Sequence, residues 1–186
     1  MKTRQDAWEL MCRHTETESL RKHMLAVEAC MRHYATKYGE DPELWGIVGL
    51  LHDFDYEKHP TAEEHPLVGM SILKDEGWPP EVIRAIGSHA AERTGIQRES
   101  LMERCLFAVD ELSGFILAVT YVRPSRSISE VEVSSVKKKM KDKSFAASVS
   151  REEMLQGAEE LGIPFEEHVQ NCLDAMRGVA ATLGVE

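Results

Sequence analysis

This chain has no long apolar stretch. Its longest uninterrupted apolar run is the eight residues 44–51, against the ~20 that a membrane-crossing helix requires. Residues 1–6 lead directly into charged, amphipathic sequence, so the expectation is a soluble, cytoplasmic protein without a membrane partner. Cysteine is scarce. Cys12, Cys30, Cys105 and Cys172 are widely scattered with no C-x-x-C pair, which argues against a thiolate zinc site and fits buried free thiols in a reducing compartment. Basic charge is outweighed by acidic charge, with 22 Lys and Arg against 32 Asp and Glu and a net charge of −10. Such a surface repels long nucleic acid unless its cations are segregated into a patch. One run, Lys137, Lys138, Lys139, Lys141 and Lys143, is dense enough to form one, and it reads first as a solvated helix face. Sustained alternation of apolar and polar residues is missing too, as are internal repeats and low-complexity segments.

What the chain does carry is helical periodicity nearly throughout, which predicts an all-α fold. With 186 residues and 42% hydrophobic content it can bury one sizeable core. The spacing predicts helices near 4–13, 17–38, 42–52, 66–76, 80–91 and 99–121. Gly39, the 77–80 segment (Gly, Trp, Pro, Pro) and Thr94-Gly95 act as breaks. Beyond Arg123-Pro124-Ser125 the character changes. Ser129 with Glu132, and Ser150 with Glu153, have capping-box spacing, and a final amphipathic helix is expected near 165–183. The division this suggests is a helical core over 1–125 and a helical C-terminal extension over 126–186, packed on that core.

Against this background His52-Asp53 stands out, because the pair closes the apolar run. A buried, unpaired carboxylate costs several kcal/mol, roughly, and escapes that cost by protonation, hydrogen bonding or meeting a cation. Other residues of metal-binding type lie on similar apolar faces. His23 shares a stripe with Leu20, Met24, Val27, Met31 and Tyr34, and Asp110 follows Leu106 and Phe107 at helical spacing. His65 and His89 lie between them. The separations are 29 residues from His23 to His52, 12 from Asp53 to His65, 24 to His89 and 21 to Asp110, enough to set the ligands on different elements. Imidazole with carboxylate suits Mn, Fe, Co, Ni or Zn, and facing helices commonly converge such side chains on one point.

These residues resemble the HD-domain metal-dependent phosphohydrolase superfamily, whose signature H…HD…D falls here on His23, His52-Asp53 and Asp110. The 49–53 segment (Gly, Leu, Leu, His, Asp) is similar to the family's L-L-H-D-I-G run. Residues 65–69 together with 86–89 are similar to its intervening H…G…H stretch. Phe54-Asp55 stands where that run has Ile-Gly. The resemblance covers about residues 20–120 and implies a multi-helix HD-type bundle. It further implies a divalent ion on the four signature residues, and a second on His65 and His89 with Asp53 bridging. His14, His33, His59 and His168 fall outside the pattern and read as structural or exposed.

Such a centre implies hydrolysis of a phosphoester or phosphoanhydride in a small phosphorylated metabolite or nucleotide by a metal-activated water. Candidate phosphate contacts are Arg123, Lys138 and Lys143, by charge and by position after the Asp110 helix; plain surface cations are the competing reading. Asp55 is a candidate acid or a partner to a ligand, Lys58 in the same loop a candidate anion contact, and Glu92 near His89 a similar candidate. Alternatives on the same fold are a di-iron oxygenase and a non-enzymatic nucleotide-sensing module. Segments 54–64 and 123–148 are expected to shape the pocket. Oligomeric state is left open.

Overall fold

The computed structural model describes residues 2–186, and the described residues hold α-helices and no strand. In order these are α1 (Arg4–His14), α2 (Glu18–Tyr38), α3 (Pro42–Leu51), α4 (Leu67–Asp75), α5 (Pro80–Ser88), α6 (Ala91–Thr94), α7 (Leu101–Tyr121), α8 (Val133–Met140), α9 (Arg151–Leu161), α10 (Phe165–Arg177) and α11 (Ala180–Leu183). A 3₁₀ turn, Ile128–Glu130, precedes α8. Starts are chemically marked. Thr3 and Ser100 form capping boxes with Asp6 and Glu103, and Asp41 accepts from the amides of Glu43 and Leu44 ahead of Pro42. Stops use left-handed glycine, as at Gly39 and Gly162.

The two long helices, α2 and α7, pack on each other, and the rest assemble around them. α3 lies along α2 at very short range, because Gly49 has no side chain: a Cβ there would stand 2.9 Å from the Glu28 Cα. α9 approaches α7 in the same way, with Gly157 against Ala108. α10 contacts both long helices and is pinned by a fully buried histidine. His168 Nε2 donates to the Ala108 carbonyl at 2.8 Å, so its Nδ1 must accept the Tyr34 hydroxyl proton at 2.6 Å. Buried side chains from residues 126–186, among them Val131, Val136, Met154, Cys172 and Met176, belong to the same core as those of α2 and α7. All four cysteines are free.

Four expectations about elements are corrected. The helix near 80–91 stops at Ser88, because the side chains of His89 and Thr94 take the carbonyls of Ile86 and Gly87. Ser129 does not cap α8. It sits in the 3₁₀ turn, and α8 starts four residues later with Ser135 Oγ accepting from the Glu132 amide. Ser150 does cap α9, accepting from the Glu153 amide at 3.1 Å, but the return bond comes from elsewhere: the Ser150 amide donates to Glu111 of α7 at 2.8 Å. Glu153 is left facing a cavity. The last helix also breaks, at Gly178-Val179, into α10 and α11.

Candidate metal centre

Six side chains from five parts of the chain meet at one point. α2 supplies His23, and α7 supplies Asp110. The turn ending α3 carries His52 and Asp53, the segment before α4 carries His65, and the turn ending α5 carries His89. They form two groups, each with ligand-type atoms within 4.8 Å of one another: His23, His52, Asp53 and Asp110, and Asp53, His65 and His89. Asp53 belongs to both. Its Oδ2 lies 3.3 Å from His52 Nε2 and 3.6 Å from His23 Nε2, while its Oδ1 lies 3.2 Å from His65 Nε2 and 3.6 Å from His89 Nε2. Asp110 Oδ1 completes the first group at 3.0 Å from His23 and 3.3 Å from His52.

The outer face of three of these rings is tied down by acceptors. His52 Nδ1 donates to the Gly49 carbonyl at 2.8 Å and His89 Nδ1 to the Ile86 carbonyl at 2.5 Å. His65 Nδ1 donates to Asp55 at 2.8 Å. In a neutral imidazole a proton on Nδ1 leaves a bare lone pair on Nε2, and here those lone pairs converge on carboxylate oxygens and on one another: His23 and His52 Nε2 are 3.2 Å apart. Lone pairs so opposed need a cation between them. The donor set therefore fits a metal ion, with the tautomers preset by the backbone and by Asp55.

Without a metal, protons fill that role. Burial pushes His52 down, but the charges of Asp53 and Asp110 outweigh it and hold its pKa well above the usual value. His65 behaves alike: burial opposes and Asp53 and Asp55 win, raising it to about 9. The carboxylates respond in the opposite sense. Burial alone would raise Asp53 and Asp110, yet the His52 charge and the imidazole hydrogen bonds draw both well below the ordinary range.

A cavity of about 500 Å³ opens onto the cluster. Its walls include Tyr56, Glu92, Arg93, Glu111, Ser148, Val149, Ser150 and Glu153. Glu111 is raised to about 7, by burial and then by the Asp110 charge. Among the described residues lining it, Arg93 is the one lysine or arginine.

The expected cationic contacts are elsewhere. Arg123 follows the end of α7 and bonds to Ser135; thirteen residues past Asp110 on a helix is about 20 Å at 1.5 Å per residue. Lys138 faces a different hollow beside Leu155 and Phe165, and exposed Lys143 lines no part of the cavity at the cluster. Lys58 donates to the Arg13 carbonyl at the end of α1. Asp55 is no free acid: its side chain is 1% exposed, with one oxygen on His65 and the other accepting the Gly69 amide at 2.8 Å. It is a positioning residue. Glu92 does reach the cavity. Arg93, Glu111 and Glu153 had no distinguishing signal, since charges on helix first turns and faces are ordinary.

The fold and donor set define an all-α protein with a carboxylate-bridged histidine cluster. Residues 20–114, just over half of the chain, match the family model of the HD domain, and the chain belongs to that family. It is similar to Ribonuclease Y of Desulfotalea psychrophila, 30% identical over 98 residues, which are 52% of this chain and 18% of that relative. The chain thus spans about a fifth of the length of this curated relative. No solved structure matches. No helix among the described residues is long and apolar enough to cross a membrane.

Proposed function

We propose that the chain is a metal-dependent phosphohydrolase that cleaves a phosphoester or phosphoanhydride bond of a small phosphorylated metabolite or nucleotide. The observation that carries this reading is the division of Asp53, one oxygen turned to His23 and His52 and the other to His65 and His89. Membership of the HD family supports it, as does the relative whose name describes a ribonuclease, an enzyme acting on a phosphate ester.

His23, His52, Asp110 and Asp53 would hold one divalent ion, and Asp53, His65 and His89 a second. Bound there, divalent ions supply Lewis acidity: neutralised charge on a phosphoryl oxygen and a water acidic enough to ionise near pH ~7. The chain's own residues do the rest. Asp53 keeps the two histidine groups at fixed separation. The Gly49 and Ile86 carbonyls and Asp55 hold three rings in one tautomer, so no reorganisation is needed as charge develops. Arg93, at the cavity wall, takes the place expected for Arg123, Lys138 and Lys143 as the phosphate contact.

The test is metal content and turnover on protein loaded with Mn, Fe, Co, Ni or Zn, against a phosphoester and nucleotide panel, beside Asp53→Ala. The expected result is one or two ions per chain and phosphate release, both lost in the variant. Metal-loaded protein inert on the whole panel overturns the reading. Two irons per chain with oxygen consumption would point to an oxygenase instead, and nucleotide binding without turnover to a sensor.

A further inference from the structure

One wall of the cavity comes from beyond the residues that match the HD family. Ser148, Val149, Ser150 and Glu153 line the same space as the histidine cluster, and the segment that carries them is built rather than draped. The Ser150 amide is bound by Glu111 at 2.8 Å. The Arg151 guanidinium donates to the carbonyls of Ala146 (2.7 Å), Val149 (3.0 Å), Asp142 (3.0 Å) and Phe145, four acceptors from one loop. Phe145 anchors that loop edge-on against Phe115, with ring centroids 5.6 Å apart. Because Glu111 replaces Glu153 at the Ser150 amide, the Glu153 carboxylate is released to the cavity.

The charge of this enclosure is unusual for a site taking phosphate. Glu92, Glu111 and Glu153 line the cavity beside the histidine cluster, against Arg93 alone, and the Arg93 guanidinium is itself 3.5 Å from Glu92 and bonded to the His65 carbonyl. A single phosphoryl group can rest on the cluster and Arg93. A second or third phosphate, or the next nucleotide of a strand, would have to lie among the carboxylates, where unit charges at about 5 Å repel strongly even at an effective dielectric of ~20. RNA-binding channels show the contrary pattern, a cationic groove with stacking aromatics. The volume, about 500 Å³, suits a small ligand.

We propose that residues 145–153 form a specificity wall, held by Arg151 and Glu111, that admits a single phosphomonoester group on a small organic moiety and turns away nucleoside di- and triphosphates and RNA. This rests on the phosphohydrolase reading and narrows its substrate class. Glu153 is the discriminating residue and Glu92, at the mouth, a second.

The experiment uses the full chain loaded with manganese at pH 8. Binding of AMP, ADP and ATP is measured by calorimetry, and phosphate release from the same three and cleavage of a pentanucleotide RNA are followed in parallel, for wild type, Glu153→Gln and Glu92→Gln. Comparing variant with wild type in one buffer cancels chelation of free metal. The wild type should prefer AMP in both readouts and leave the RNA intact. Glu153→Gln should raise ADP and ATP affinity relative to AMP by roughly tenfold, the effect of removing one near charge, and Glu92→Gln should move the ratio the same way by less. Wild-type preference for ADP or ATP, cleavage of the RNA, or ratios unmoved in both variants of native melting temperature overturns the wall while leaving the hydrolase standing. No ligand bound and none hydrolysed overturns both.

Discussion

Asp55 accepts the Nδ1 proton of His65 at 2.8 Å, and in doing so turns the opposite ring nitrogen towards Asp53. The pair is almost sealed from solvent. A buried carboxylate behind a ligand-type histidine sets its tautomer and raises its basicity, and removing such partners typically costs 10–100-fold in metal affinity. Asp55→Asn keeps the volume and one accepting oxygen but removes the charge and sets an NH2 against either the His65 Nδ1 proton or the Gly69 amide. Metal affinity, measured by competition with a chelating dye, should fall by about that factor, with the loss confined to the ion on Asp53, His65 and His89 if two bind. Unchanged affinity would mean that Asp55 serves only to bind the Gly69 amide and hold the start of α4.

Metal and protons should compete for the cluster. His65 titrates at about 9 and His52 well above its usual value in the metal-free protein, because the carboxylates beside them prevail over burial. Both rings are therefore protonated at neutral pH, and an incoming ion must displace those protons. Calorimetry in buffers of different ionisation enthalpy should register proton release at pH 7. Apparent affinity should tighten between pH 7 and 9, about tenfold per unit for each proton displaced. The sign for stability is the reverse: a histidine raised from ~6.5 on folding stabilises the metal-free fold at low pH, and that contribution fades as pH climbs through about 9.

Gly49 joins the packing of the core to the site. Its missing side chain lets α3 lie 2.9 Å (for a hypothetical Cβ) from the backbone of α2, and its carbonyl fixes His52. Gly49→Ala forces two helices apart where neither neighbouring atom is a flexible tip. Overpacking of this kind costs about 1–3 kcal/mol, or about 2–4 °C in melting temperature for each kcal/mol in a chain of this size. The melt should shift by that amount and metal affinity should weaken with it.

His23, His52-Asp53 and Asp110 were legible because each joined a polar side chain to an apolar helical stretch, whereas His65 and His89, which lie in turns beside helix ends, came through the joint pattern and the family resemblance. His23 on its stripe and Asp110 behind Leu106 and Phe107 had to point inward, and the H…HD…D resemblance supplied the pairing between them. The cation that lines the cavity was not legible. Arg123, Lys138 and Lys143 were favoured for following Asp110 in the chain, but α7 continues to Tyr121 and carries the following residues away along its axis. Arg93 sits in a four-residue helix that periodicity cannot detect. Glu153 was read as half of a capping box, and only the tertiary approach of Glu111 to the Ser150 amide shows that the cap has another partner. Local pattern reaches a helix start; it does not reach which distant carboxylate completes it.

His168 gives a pH signature independent of metal. It is fully buried between α2, α7 and α10, and loss of solvation lowers its pKa to about 4 against the weaker opposing effect of the Ala108 carbonyl. Between pH ~6.5, where an unfolded histidine titrates, and pH 4, the unfolded chain binds a proton that the native chain refuses. Stability is therefore lost as pH falls through this window, by up to about 3 kcal/mol at 1.36 kcal/mol per unit. His168→Gln offers an amide that can donate to Ala108 and accept from Tyr34, yet carries no proton equilibrium. The variant should be less stable than wild type at pH 7, where the imidazole packs better. The difference should shrink or invert by pH 4, as read from urea unfolding of the metal-free proteins at several pH values. A difference that stays constant across the window would show that His168 takes up its proton inside the native core.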